Sequence, residues 1–365
     1  MSTLMIRTRA ARAAAVATVA IGSILLCAGS AQASWTVTNL SPPGSSLSLA
    51  SATTGTQQAG YSTSAGFDQA GIWSGTAASF VNLNPLGADE SRAAYTTGTQ
   101  QAGFAVFGGV RQAGIWSGSA ASWVSLHPTG ANGSLAYATT GTQQAGWANI
   151  GGVRAGIWSG SAASWISLHP AGASFSQAYS TTGTQQAGYA DVGGVGQAGI
   201  WAGTAASWVS LHPAGATDSS ALATAGTQQA GYAQIGGVDR AGIWSGSAAS
   251  FVDLHPAGAV YSFAYATTGT YQAGVSIIGG SQRAGIWSGT AGSWEDLSAV
   301  LTGSWGAAAA LGIWSDATTI YVSGWAISNT SGQAEALLWT RPIPTPGAAA
   351  LLALGGVLAG RRRRN

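Results

Sequence analysis

The chain has 365 residues and a formal net charge of +2, a length that holds one large domain or two ordinary ones. All 13 basic residues are arginines and seven of them lie at the two ends, so residues 34–360 carry six arginines against eleven acids, a balance near −5. That mildly acidic body argues against a nucleic-acid partner, which needs a basic face, and a single cysteine leaves no disulfide framework or thiolate metal site.

In chain order, the first element is a leader. Arg7, Arg9 and Arg12 precede an apolar run that holds Cys27 and ends in Ala31-Gln32-Ala33. A positive start, an apolar centre and a small-residue end predict a secretory signal peptide over residues 1–33, cut after Ala33. A short transmembrane anchor is the alternative. The next element is an isolated strand, "SWTVTNLSPPG" from Ser34, similar in type to the later "SWVSLHPAG".

A repeat then takes over. "TGTQQAG" or a close variant begins at Thr54, Thr97, Thr140, Thr182, Ala225 and Thr268, and "AGIW" begins at Ala70, Ala113, Ala155, Ala198, Ala241 and Ala284, both at steps of 42 or 43 residues. That period is a propeller blade's and is too long for one solenoid coil. Within the fourth unit "FSQAYSTT", "QQAGYADV", "QAGIWAG" and "SWVSLHP" are separated by glycine and small-residue turns, which reads as four antiparallel strands, a to d. After six such units the chain supplies an a, a b and a c strand, "GAAAALGIWSDAT", "TIYVSGWAIS" and "AEALLWT", and no d. The isolated strand at Ser34 fills that place, so residues 34–341 are predicted to form an all-β, seven-bladed β-propeller of four-stranded antiparallel blades, closed by its N-terminal strand.

The repeated side chains fit that architecture. Trp73, Trp116, Trp158, Trp201, Trp244 and Trp287 on strand c, with Trp123, Trp165, Trp208, Trp294, Phe80 and Phe251 on strand d, are expected between blades. Strand a, small or hydroxylated with a tyrosine or leucine, is the expected channel lining. His127, His169, His212 and His255 each precede a proline at the end of strand d. One imidazole per blade does not converge on one ion, so each is expected to bond a neighbouring turn carbonyl. Neither a metal nor a cofactor is expected, and no catalytic motif is found: there is no Gly-x-Ser-x-Gly elbow or phosphate-binding loop.

The copies differ mainly in their d-to-a and b-to-c connections, which a four-stranded meander places on one face. The charged members of that face are Asp89, Glu90, Arg92, Arg111, Arg154, Asp191, Asp218, Asp239, Arg240 and Arg283. They form the candidate ligand-binding surface, with solvent-exposed drift as the plain alternative.

The units resemble the HAF family of extracellular repeats, with "QAGIW" and, at 333–339, "QAEALLW" standing where that family has His-Ala-Phe-Leu-Trp. The order of glycine pair, Trp strand, Trp-x-x-Leu strand and proline also resembles the kelch repeat. The last stretch, residues 342–365, has Pro344-Thr345-Pro346, a short apolar run and Arg361, Arg362, Arg363 and Arg364. As a helix the apolar run is short of a bilayer core. It resembles the PEP-CTERM sorting signal, which implies an exosortase-type sorting protease as partner and export to the surface of a bacterium that secretes exopolysaccharide. A permanent weak anchor is the alternative, and contact with the membrane is expected only through these two end segments. The expected function is an exported surface or matrix binding module, with an exopolysaccharide or surface protein as ligand. A propeller-based polysaccharide lyase or hydrolase is the alternative.

Overall fold

The computed structural model describes residues 34–301, 303 and 305–344. The expected leader with its cleavage at Ala33, and the Thr345, Pro346 and Arg361–Arg364 parts of the sorting signal, lie outside the described residues.

Alternation of small and large side chains, with positive-φ glycines at the turns, folds the repeat into seven four-stranded antiparallel sheets. Blade 4 shows the plan: strand a is Ala173–Thr181, b is Gln186–Val192, c is Val195–Trp201 and d is Val209–Ser210. Blade 7 takes Trp305–Ser315, Thr319–Ser328 and Ala334–Pro342 from the C-terminal part, and its outermost strand is the N-terminal Thr36–Asn39, paired antiparallel as Val37 with Trp339. Closure by the first strand is therefore as predicted.

Strand d differs from its sequence reading. It is two residues long, preceded by a one-turn 3-10 helix such as Ala205–Ser207. Ser207 accepts from the Ala202 N–H at 2.8 Å and donates to the Thr204 carbonyl at 2.6 Å, so a side chain supplies the bonding that a strand would take from its neighbour. Trp208 and its equivalents sit at the end of this turn, half-buried, rather than within strand d. Short outer strands also leave little edge for pairing with another chain.

The core lies between blades. All six strand-c tryptophans of the repeat, and Trp339 of blade 7, are fully buried. Each of the six packs on the aromatic of the following turn at 4.4–5.1 Å between ring centres, with about 150–250 Å² of each ring removed from water. The glycine before "IW" makes this possible: a Cβ on Gly199 would lie 2.0 Å from the Trp208 ring. The glycine of "QAG" has a different duty, since a Cβ on Gly188 would lie 2.0 Å from the Gln177 carbonyl, beside the bulge in strand a.

Two polar relays lock successive blades, and a third ties each c-to-d turn to its own blade. The first glutamine of "TGTQQ" reaches forward: Gln57, Gln100, Gln143, Gln185 and Gln228 each accept, through Oε1, from a threonine and from the second glutamine of the next blade. Gln143, for example, accepts from Thr181 at 2.6 Å and Gln186 at 2.9 Å. The second glutamine holds its own c-to-d turn, as Gln186 accepts from the Gly203 N–H at 2.9 Å. On the opposite side, the alanine N–H of "AGIW" donates to a serine of the next blade, Ala198 to Ser219 at 2.9 Å being one instance. These bonds explain why the a-to-b and c-to-d turns barely vary among the copies.

Candidate functional site

The imidazoles belong to the scaffold. His212 Nε2 lies 3.0 Å from the Ala216 carbonyl and Nδ1 lies 2.7 Å from Ser219 Oγ, with the same pair of contacts at His127, His169 and His255. A carbonyl only accepts, so Nε2 carries the proton and Nδ1 accepts from the serine. In blade 1 Asn84 does the same work, accepting from Ser91 at 2.6 Å and donating to the Ala88 carbonyl at 3.3 Å. The expected bond to a turn carbonyl is thus present, and a serine bond accompanies it.

Strand a lines an axial cavity of about 530 Å³, as its small and hydroxylated residues suggest. All seven blades contribute, with Thr96, Thr181 and Thr267 among the lining residues at the a-to-b end. Toward the other face the cavity continues into a second pocket of about 440 Å³ confined to blades 4, 5 and 6, the two sharing Tyr179, Leu222 and Tyr265. Six aromatic rings line this second pocket: Phe175, Tyr179, Tyr189, Tyr232, Phe263 and Tyr265. Its polar groups are Gln177, Ser220 and Asp218. Phe263 and Tyr265 lie parallel, 3° apart in plane and 6.0 Å between centres, while Tyr232 meets Phe263 edge-on at 4.9 Å.

Among the described residues, Asp218 is the one charged side chain in the lining. Its Oδ2 accepts from the Tyr232 hydroxyl at 2.8 Å, and among the described residues no arginine pairs with it. Burial, followed by the hydrogen bond to Asp218 and that carboxylate's charge, pushes the Tyr232 phenol well above its ordinary value. Burial and then Asp218 and Asp191 do the same to Tyr189, and burial brings Tyr265 to about 12. The phenols therefore stay protonated, as donors and apolar surfaces.

Of the ten predicted face residues, Asp218 alone lines this pocket. Asp191 stands on the adjoining strand b, with Oδ1 buried and without a partner among the described residues. Arg240 and Arg283 point to the blade edge, held by Asp253 at 3.0 Å and Asp296 at 2.8 Å. Those pairs replace the Gln69–Asn82 bond of blade 1, a scaffold contact. Arg92 bonds Asp68 through Nε at 2.8 Å and covers the Tyr61 ring, and Arg111 lies 4.5 Å over Phe104. Asp239 accepts from Gln234 at 3.0 Å, and Asp89 from the Gly109 N–H at 3.4 Å. Glu90 opens strand a of blade 2, and Arg154 sits on strand c of blade 3 beside Gly151. The aromatic lining was missed by a search for charge. Its signal lies in strand a, where Phe175 and Phe263 stand at positions that other copies fill with Gly133 and Leu49, whereas the strand-b position of Tyr189 and Tyr232 is aromatic in blades 1–3 too, as Tyr61, Phe104 and Trp147.

No family model matches the chain, and no curated protein does. Solved structures do. The β-propeller domain of the trilobed protease from Pyrococcus furiosus aligns over 82% of this chain and 98% of its own, with a TM-score of 0.54 and 11% identity. Puromycin hydrolase aligns over 81% of this chain and 56% of its own at a TM-score of 0.54 and 11% identity. The acylaminoacyl peptidase of Pyrococcus horikoshii aligns over 85% and 54% at 0.50 and 11%. The chain thus spans little more than half the length of these two enzymes, and at such identity the likeness is one of fold. The Pyrococcus furiosus domain has an open velcro topology, whereas here the first strand completes the last blade.

Proposed function

We propose that this protein is an exported binding module of the cell surface or extracellular matrix, and that it holds a polysaccharide segment in the axial pocket of blades 4–6. The supporting observation is the pocket itself: six aromatic rings with an amide, a hydroxyl and a carboxylate between them, opening on the face where the copies diverge. Flat rings take the apolar faces of sugar rings while a few placed polar groups take their hydroxyls, which is the general make-up of small-ligand sites. In this reading the leader directs export and an exosortase-type protease acts on residues 342–365.

The tyrosines weigh against a lyase that would use one of them as its base. A phenol acting as general base needs an acidity brought toward neutrality, and burial and the nearby carboxylates push Tyr179, Tyr189 and Tyr232 the other way. A glycan array of the purified full-length protein beside its Phe263→Ala/Tyr265→Ala variant tests the proposal. Polysaccharide binding is expected, with a loss of about tenfold or more in the variant, at about 0.5–1.5 kcal/mol per ring. Equal binding by the two proteins would move the ligand off the pocket.

A further inference from the structure

The pocket carries a charge that the scaffold does not neutralise, and three independent features show that it is built in. The first is Asp218. Its Oδ2 is held by a neutral donor, Tyr232, and among the described residues all four ion pairs are made by other side chains. The nearest arginine along the fifth blade, Arg240, is taken by Asp253.

The second feature is Gly196 on strand c of blade 4. A Cβ there would lie 2.0 Å from Asp218 Oδ1 and 2.6 Å from the Tyr189 ring. The matching positions in the other units are Asp68, Arg111, Val153, Asp239 and Gln282. Blade 4 alone has the glycine, and it stands against the carboxylate.

Ser220 supplies the third feature. It is 3% exposed, lines the pocket, and among the described residues its Oγ has no hydrogen-bond partner. A buried hydroxyl left without a partner is costly, so a ligand atom is a natural acceptor or donor for it. Asp191 Oδ1, buried and unpartnered on the adjoining strand, adds a second carboxylate to the same side.

An aromatic box with an uncompensated carboxylate attracts a cation through both the ring faces and the charge. We infer that the sugar residue seated between Phe263–Tyr265 and Asp218 carries a free, protonated amine, so that the ligand is a polysaccharide containing deacetylated amino sugar. This rests on the reading of the pocket as a polysaccharide site. The parallel Phe263 and Tyr265 rings receive the sugar ring, Asp218 Oδ1 accepts from the ammonium group, and Gln177 and Ser220 are left for hydroxyls.

Isothermal titration of the full-length protein with a glucosamine tetramer, its N-acetylated counterpart and a glucose tetramer tests the inference. The glucosamine tetramer is expected to bind about tenfold tighter than the two neutral ones, one charge-assisted contact at about that factor. Asp218→Asn removes the preference and Asp316→Asn, in the a-to-b turn of blade 7, leaves it. Should Asp218→Asn fold poorly, the wild-type protein answers alone: raising ionic strength from about 0.05 to about 0.5 M weakens the amine ligand and spares the neutral ones. A preference that is absent, or that survives Asp218→Asn or added salt, overturns the ammonium assignment and leaves the polysaccharide reading standing. Failure of all three tetramers to bind overturns both.

Discussion

At the scale of single residues, the repeated letters turn out to be contacts with one purpose each. Gly199 is a slot for Trp208, so Gly199→Ala drives a methyl to within 2.0 Å of the ring. A loss of about 2–3 kcal/mol is expected by urea denaturation, and much of it should vanish in a Trp208→Ala background because the two changes share one space. His212→Ala strands the Ser219 hydroxyl and the Ala216 carbonyl, at about 1–3 kcal/mol. His212→Asn is expected to cost under about 1 kcal/mol, since Asn84 makes the same two bonds in blade 1. His169 also sets an acid limit. Burial, opposed by the bond to Ala173 and aided by Arg154, lowers the affinity of His169 for a proton below the ordinary 6.5. The unfolded chain therefore takes up that proton at higher pH than the folded one. The His169 contribution to stability is complete above pH 6.5, declines as pH falls toward the folded-state value, and is flat below it. Urea midpoints across that range for wild type and His169→Asn check this, the variant showing the shallower decline. The histidine-to-carbonyl bond was readable in the sequence because the imidazole recurs once per unit. Its serine partner was not, because that serine belongs to the next blade.

At the scale of elements, the relays explain which turns stay constant. Gln143→Ala leaves the Thr181 hydroxyl without its acceptor and the fully buried Gln186 amide with only its 3.4 Å bond to Thr181. A cost of about 1–3 kcal/mol is expected, with faster hydrogen exchange on both sides of the junction between blades 3 and 4. Where the relay has no partner it is replaced. Blade 6 has Tyr271 in place of the first glutamine, packed on the apolar cluster of blade 7, and Gly55 of blade 1 lies flat on Trp314. The turns and strands a, b and c were legible from period and composition. Strand d was overread, because "SWVSLHP" has strand propensity throughout while Ser207 diverts its start into a 3-10 turn.

At the scale of the whole molecule, closure depends on a three-residue clasp. Trp35 Nε1 donates to Glu295 Oε1 at 2.7 Å, Arg341 donates to Glu295 Oε2 at 2.5 Å, and the Arg341 guanidinium covers the Trp35 ring at 4.5 Å. It joins the first strand, the last strand and blade 6. Arg341 is 5% exposed, and Arg341→Ala is expected to cost about 2 kcal/mol, less than a fully buried pair because Glu295 keeps contact with water. Limited proteolysis should then cut first in blade 7, and a variant protected like wild type would assign closure to strand pairing alone.

By itself the sequence determined the number of blades, their strand order and the strand that shuts the ring, because a period of 42–43 residues and a missing outer strand admit one closed solution. The tertiary structure decided which charges are free. Arg240 and Arg283 look available on paper and are spent on Asp253 and Asp296, while Asp218 is one acid among eleven until the fold sets it among rings from three blades. The reason is geometric: a repeat dictates the local contacts of each unit, but a pocket on the axis is assembled from residues some forty positions apart, Phe175, Asp218 and Phe263, that no local pattern connects.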